Sequence, residues 1–248
     1  MRRFVDLKSL AAVRSRILFY PAAGSDWNEF IEAFADHIDE FHFCDVTYCD
    51  LNKLEHPFFD PKSYELIDTK VDGKAVARMD TPTPDRPYCS LTPGRLTEIY
   101  KRVSDGREVK VVRRRGFGQY ALAEFSDSSI GVFVHRGDSP GEGGSSAYFL
   151  DNKKRDHEPL GNLYDKLSQK LTDPAIVISD GSNARPKFLK KFHRREISDE
   201  DAFSRLHKRC FSFGKLRWTC IGYFGRRYGP TLVWRVFRHH PDEPAVNL

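Results

Sequence analysis

The sequence predicts an α/β protein: a mixed sheet in a three-layer arrangement with helices, formed as a single domain over residues 1–248. Three observations carry this expectation. Strand-like and helix-like patterns alternate along most of the chain. A strand, tight turn, helix and second strand follow one another between Arg16 and Asp45. Two strand-like runs close to the end, Trp218 to Phe224 and Thr231 to Phe237, read as an antiparallel hairpin around Gly225-Arg226-Arg227-Tyr228-Gly229. A helical crossover joins parallel strands and a short turn joins antiparallel ones, so the two patterns together imply a sheet of mixed sense.

Each element has a local reason. Arg16 to Tyr20 is a β-rich run stopped by Pro21-Ala22-Ala23-Gly24-Ser25-Asp26. Trp27, Phe30, Ile31, Phe34 and Ile38 then recur at helical spacing, with Ser25 or Asp26 as N-cap and Glu29 placed for a capping box. Glu40 to Asp45 is the second strand, expected parallel to the first. Residues 51–92, broken by prolines, form an irregular insertion or lid-like loop, with Tyr64 to Arg78 as a hairpin turning at Asp72-Gly73. Thr92 and Pro93 open a helix to Val103. Glu108–Arg113, Gln119–Phe125 and Ser129–Arg136 form an inserted antiparallel meander, whose apolar run Ile130 to Val134 suits a strand buried on both faces. Leu160, Leu163, Tyr164, Leu167 and Leu171 mark a helix ended by Asp173-Pro174, and Ala175 to Ser179 is a buried strand. Ser198-Asp199-Glu200-Asp201 opens a helix through Leu206, with acids at its positive end.

Composition bounds the function classes. Hydrophobic residues make up 40% and charged residues 30% of the chain, too apolar for disorder. No apolar run approaches a membrane span, and the first eight residues lack the apolar stretch of a signal peptide. A cytoplasmic location is therefore expected. The five cysteines (Cys44, Cys49, Cys89, Cys210, Cys220) form no C-x-x-C pair and read as reduced thiols, with no metal site implied. The net charge of +5 is unevenly spread, since residues 1–150 are acidic on balance and residues 151–248 basic. Arg185 to Arg195 interleaves basic side chains with Phe188, Leu189 and Phe192. Lys190, Lys191, Arg194 and Arg195, with Arg226 and Arg227 of the hairpin loop, are candidate contacts to a nucleic acid or another phosphate-bearing partner.

Candidate chemistry gathers at strand ends. In an open sheet the ligand crevice lies outside the carboxyl ends of parallel strands. The turn Ala22 to Asp26 brings backbone N–H groups to the start of a helix, and Asp45 follows at the distance where an acid grips ribose hydroxyls. His135-Arg136-Gly137-Asp138, running on to Glu142 and Ser146, supplies an imidazole, a guanidinium and two carboxylates on a glycine-rich loop. His135 is a candidate base, Asp138 and Glu142 candidate acids, and Arg136 a candidate phosphate clamp.

Tyr20-Pro21-Ala22-Ala23-Gly24-Ser25-Asp26 resembles the first motif of class I S-adenosylmethionine-dependent methyltransferases, and Asp45 resembles their second-strand acid. The terminal hairpin is similar to the antiparallel strands that close that fold. The resemblance implies a Rossmann-like three-layer sandwich. It also implies S-adenosylmethionine or a related nucleotide held by Ala22, Gly24, Ser25, Asp26 and Asp45, with His135, Asp138 and Glu142 facing the acceptor. Tyr20-Pro21 stands where the family carries an acid, and no Asn-Pro-Pro-Tyr follows the fourth strand. Two other readings stand beside this one. The chain is a non-catalytic binding module for nucleic acid or a protein partner, or a metal-dependent phosphoesterase using Asp138, Glu142 and Asp180.

Overall fold

The structure is a computed structural model that describes residues 4–5, 7–24, 26–45, 48, 60–72, 94–116, 118–136, 163–180, 197–207, 209–213, 215–225 and 229–238. In chain order the elements begin β1 (Phe4–Val5), α1 (Leu7–Ala11), β2 (Ile17–Pro21), α2 (Asn28–Phe34), β3 (Glu40–Asp45), β4 (Tyr64–Asp72), β5 (Gly94–Arg102) and β6 (Glu108–Arg115). They continue α3 (Gly118–Ala123), β7 (Ile130–His135), α4 (Leu163–Lys170), β8 (Leu171–Ser179), α5 (Asp199–Leu206), β9 (Cys210–Phe213), β10 (Leu216–Tyr223) and β11 (Leu232–Arg238). The chain divides into two compact units, an inner one of Ile17–Ala121 and an outer one of Met1–Arg16 with Leu122–Leu248.

The inner unit is built on five strands in the order β2–β3–β6–β5–β4. Strands β2, β3 and β6 run parallel, β5 returns antiparallel to β6, and β4 pairs antiparallel with β5. The β2–α2–β3 segment is the parallel unit that the sequence implied. It forms because Leu18 and Tyr20 on β2 share a sheet face with Phe41 and Phe43 on β3. Helix α2 covers that face with Phe30 and Phe34, and the Phe30 ring meets Tyr20 edge-on at 5.1 Å. Each buried aromatic removes on the order of 150–250 Å² from water, so this cluster dominates the local energetics.

In the outer unit β7 and β8 are parallel, and β11, β10 and then β9 and β1 follow antiparallel. The β10–β11 hairpin is present as expected, and β7 is buried along its whole length. Trp218 and Trp234 pack edge to face at 6.1 Å, with Phe211 at 5.9 Å from Trp234. Helix α5 starts where its sequence says it should. Ser198 accepts the Asp201 N–H at 3.0 Å, and three acids fill the first turn. Among the described residues no helix is long and apolar enough to cross a membrane.

The Rossmann-like three-layer sandwich is not what the chain forms. Among the described residues strand far outweighs helix, no helix exceeds eight residues, and no helical layers enclose the sheet. Three local expectations explain the error. Within the segment read as a helix from Pro93 to Val103, Gly94–Arg102 is strand β5, with Leu96, Glu98 and Tyr100 alternating inward. Its period of two was hidden because a glutamate occupies an inward position. In place of a strand over Gln119 to Phe125, Gly118–Ala123 is helix α3, with Ala121 and Leu122 buried and Phe125 buried just beyond its end. The meander is therefore β4–β5–β6, one step earlier in the chain than expected. The helix before Asp173-Pro174 ends sooner, at Lys170, and β8 already runs from Leu171. Strand β4 takes β5 as its partner, and the second arm expected for a hairpin at Asp72-Gly73 lies outside the described residues.

Close packing in the outer unit yields a direct test. A Cβ on Gly131 would lie 2.1 Å from the Ser15 carbonyl oxygen and 2.7 Å from Val13 Cγ1. A main-chain atom cannot swing aside, so the strand must shift. Gly131→Ala is expected to lower unfolding free energy by about 2–3 kcal/mol in urea titrations; an unchanged midpoint contradicts the packing described.

Candidate ligand-binding site

The carboxyl ends of β2 and β3 meet at the Gly24 turn. Ala22 and Gly24 both take left-handed backbone angles, with φ of 54° and 53°. Glycine adopts that geometry freely, whereas alanine pays roughly 1 kcal/mol for it, so local strain is held here by surrounding contacts. Those contacts come from β3 and beyond. The Gly24 N–H donates to Asp45 Oδ2 at 2.7 Å, and Tyr48 donates its hydroxyl to the Gly24 carbonyl at 2.8 Å. Ala23 donates its N–H to the Cys44 carbonyl at 3.1 Å, and Gly116 donates to the Asp45 carbonyl at 3.1 Å. The turn is thus clasped on both sides of one residue.

Asp26 does not cap α2. It accepts the Tyr20 hydroxyl at 2.8 Å, and Trp27 occupies the N-cap position without a side-chain bond. Tyr20, one residue before the end of β2, thereby draws in an acid from the turn. Asp26 and Asp45 both stand at this edge, and burial, followed by the charge of Asp45, raises the Tyr48 hydroxyl well above the usual phenol value.

Beside them lies a buried ion pair. Arg113 on β6 donates to Glu98 Oε2 at 3.1 Å, with side-chain exposures of 1% and 0%, and the Tyr100 hydroxyl donates to the other oxygen at 3.0 Å. The guanidinium carbon is 5.8 Å from the Trp27 ring centroid, a cation–π distance. Burial pulls the Arg113 basicity down while Glu98 opposes it, and arginine nonetheless stays charged at any ordinary pH. Arg115, also buried, is in register with Asp45. Sequence reading missed Arg113, Arg115, Glu98 and Tyr48. The run Arg113-Arg114-Arg115 looks like a solvated basic patch until the strand period sends its first and third members inward.

The second strand-end site lies in the outer unit. His135, the last residue of β7, is fully buried and in register with Ser179 of β8. Arg136 and Asp180 are buried as well. Arg136 donates to the Gly225 carbonyl at 3.4 Å, and its guanidinium carbon lies 5.5 Å from the Phe224 ring, bracing the segment that follows β10. Ser25, Asp138, Glu142, Lys190, Lys191, Arg194, Arg195, Arg226 and Arg227 lie outside the described residues. Among the described residues no cluster of three His, Cys, Asp or Glu side chains has the arrangement of a metal site.

The opposite face of β3 carries a different polar group. His42 Nε2 and Glu40 Oε1 are 2.5 Å apart, and Lys110 Nζ donates to the same Glu40 oxygen at 2.9 Å. The hydrogen bond from His42, more than the charge of Lys110, brings the Glu40 carboxyl down to about 2. Burial keeps His42 below the ordinary imidazole value, more than offsetting the pull of Glu40.

Compared with known protein families, curated proteins and solved structures, the chain matches none.

Two outcomes follow from these electrostatics. Glu98→Gln leaves the Arg113 charge buried without its counter-charge and is expected to cost about 3–5 kcal/mol, whereas Glu98→Leu combined with Arg113→Met recovers most of that loss. Chemical denaturation of the three proteins checks it, and equal stability of the single and double variants refutes it. Stability is also expected to fall in two pH steps. Below the ordinary imidazole value of 6.5 the unfolded chain protonates His42 before the folded chain does, and from 4.5 toward about 2 the Glu40 contribution disappears. His42→Gln should remove the first step from a pH series of unfolding midpoints and shrink the second to what Lys110 sustains.

Proposed function

We propose that the inner unit binds an adenosine-type ligand at the Gly24 turn, S-adenosylmethionine in preference to a phosphate-rich nucleotide, and that methyl transfer is the reaction this ligand serves. The observation that carries the reading is the 2.7 Å bond from the Gly24 N–H to Asp45 Oδ2, spanning 21 residues between two parallel strand ends. It joins a left-handed glycine turn to an acid in the position suited to ribose hydroxyls.

Charge supports the choice between ligands. In dinucleotide sites the glycine-turn N–H groups face a pyrophosphate. Here a carboxylate already accepts the Gly24 N–H, and Asp26 adds a second negative charge at the same edge. That environment disfavours phosphate and favours a neutral nucleoside or the positive sulfonium of S-adenosylmethionine. The half-buried Trp27 supplies apolar surface beside the turn, of the kind an adenine ring uses. The reading rests on this local β2–α2–β3 unit and takes nothing from a surrounding helical sandwich.

Isothermal titration with S-adenosylmethionine, ATP and NAD decides it. Binding of S-adenosylmethionine at micromolar to low-millimolar levels, with ATP and NAD weaker, is the expected result. Asp45→Asn should weaken it by roughly tenfold or more while circular dichroism stays unchanged. Absence of heat at millimolar S-adenosylmethionine with folded protein overturns the proposal, as does tighter binding of the phosphate-rich ligands.

A further inference from the structure

We propose that a second copy of this chain docks on the edge of β4, adding strand to strand in an antiparallel homodimer centred on Thr69. Among the described strands β4 pairs with β5 alone, at the end of the inner unit's sheet. Its residues are exposed nearly throughout, including Leu66 at 41%, Ile67 at 44% and Val71 at 38%. A strand edge presents a row of main-chain N–H and C=O groups that another strand satisfies by simple addition.

The register makes the apolar residues more than scattered exposures. Asp68 stands opposite Ile99 and Val71 opposite Leu96, but Leu66 stands opposite Tyr100, so the pairing skips Ile67. This bulge reverses the alternation at one point. It puts Leu66, Ile67 and Val71 on the sheet face that carries Leu96, Glu98 and Tyr100, while Asp68, Lys70 and Asp72 line the other. One face of the edge strand is therefore an apolar strip and the other is charged.

The charges select the partner. Two copies paired antiparallel about Thr69 put Ile67 of each opposite Val71 of the other. The same register puts Asp68 of each opposite Lys70 of the other. By two-fold symmetry both pairings occur twice, which is the self-complementarity an isologous interface requires. Moving the centre by one residue to Lys70 sets Asp68 against Asp72, and moving it to Asp68 sets Leu66 against Lys70. The sequence of β4 thus favours its own copy in one register, and the bulge at Ile67 falls at the end of the shared ladder, where it interrupts least.

Sedimentation velocity from low to high micromolar protein tests the proposal, with charge reversal on the exposed strand as the discriminating step. The wild type is expected to show a concentration-dependent dimer. Asp68→Lys places lysine against lysine twice and should raise the dimer dissociation constant by roughly tenfold. Lys70→Asp should do the same, and the double variant, which exchanges the two charges, should restore dimerisation. A monomer at every concentration overturns the proposal, as when another segment of the same chain covers the edge. So does a dimer indifferent to the single reversals, or one that the double variant fails to restore. Loss of S-adenosylmethionine binding is measured separately and leaves this result untouched.

Discussion

Burying Arg113 and Glu98 together is the constraint on which the inner unit turns. Neither charge reaches water, and desolvating one alone would cost several kcal/mol, so each is tolerable only with the other at hydrogen-bonding distance. They sit on different strands as diagonal neighbours, Arg113 opposite Leu96 and Glu98 opposite Val111. A slip of one residue between β5 and β6 would put the two side chains on opposite faces of the sheet and separate them. The pair therefore specifies a register as well as an interaction. Tyr100 and Trp27 complete its surroundings, one by hydrogen bond and one by its ring face.

That register determines what stands at the Gly24 edge. With β6 held between β5 and β3, Arg115 comes opposite Asp45, and Gly116 donates to the Asp45 main chain. Asp45 is then held at its backbone while its carboxylate reaches back to Gly24. The left-handed geometry at Ala22 and Gly24 is bearable because both sides of Gly24 are tied down, by Asp45 and by Tyr48. The Gly24 N–H is taken by a carboxylate, so this edge is acidic where a phosphate-binding turn presents its N–H groups to an anion. The same core that tolerates a buried ion pair thus shapes the polarity of the turn beyond it.

The antiparallel return through β5 to β4 also creates the exposed edge. Where a helical crossover would have covered the strands, two further strands extend the sheet and leave its last member half-clothed. In the outer unit the corresponding strand ends are differently furnished. His135, Arg136 and Asp180 are all buried there, and Arg136 is spent on a carbonyl and a ring of the segment after β10. The two units use strand ends in contrasting ways, one with acids clasping a strained turn and the other with an arginine bracing a neighbouring segment.

Short-range features were legible in the sequence. The β2–α2–β3 unit, the buried β7, the Ser198 cap and the β10–β11 hairpin each follow from periodicity, turn residues or capping within a few positions of one another. The Gly24 turn and Asp45 were recognisable for the same reason. Pairing across long separations was not. Glu98 falls in a segment whose local pattern suggests a helix, and Arg113 closes a run read as a strand; nothing near either in sequence marks the other as its partner. Only the tertiary structure supplies those partners, because a charge becomes an acceptable core residue through a neighbour that the local chain does not contain. Local rules therefore determined where several strands and turns begin, while partners supplied across the sheet, the Glu98–Arg113 pair among them, hold Gly94–Arg102 as a strand.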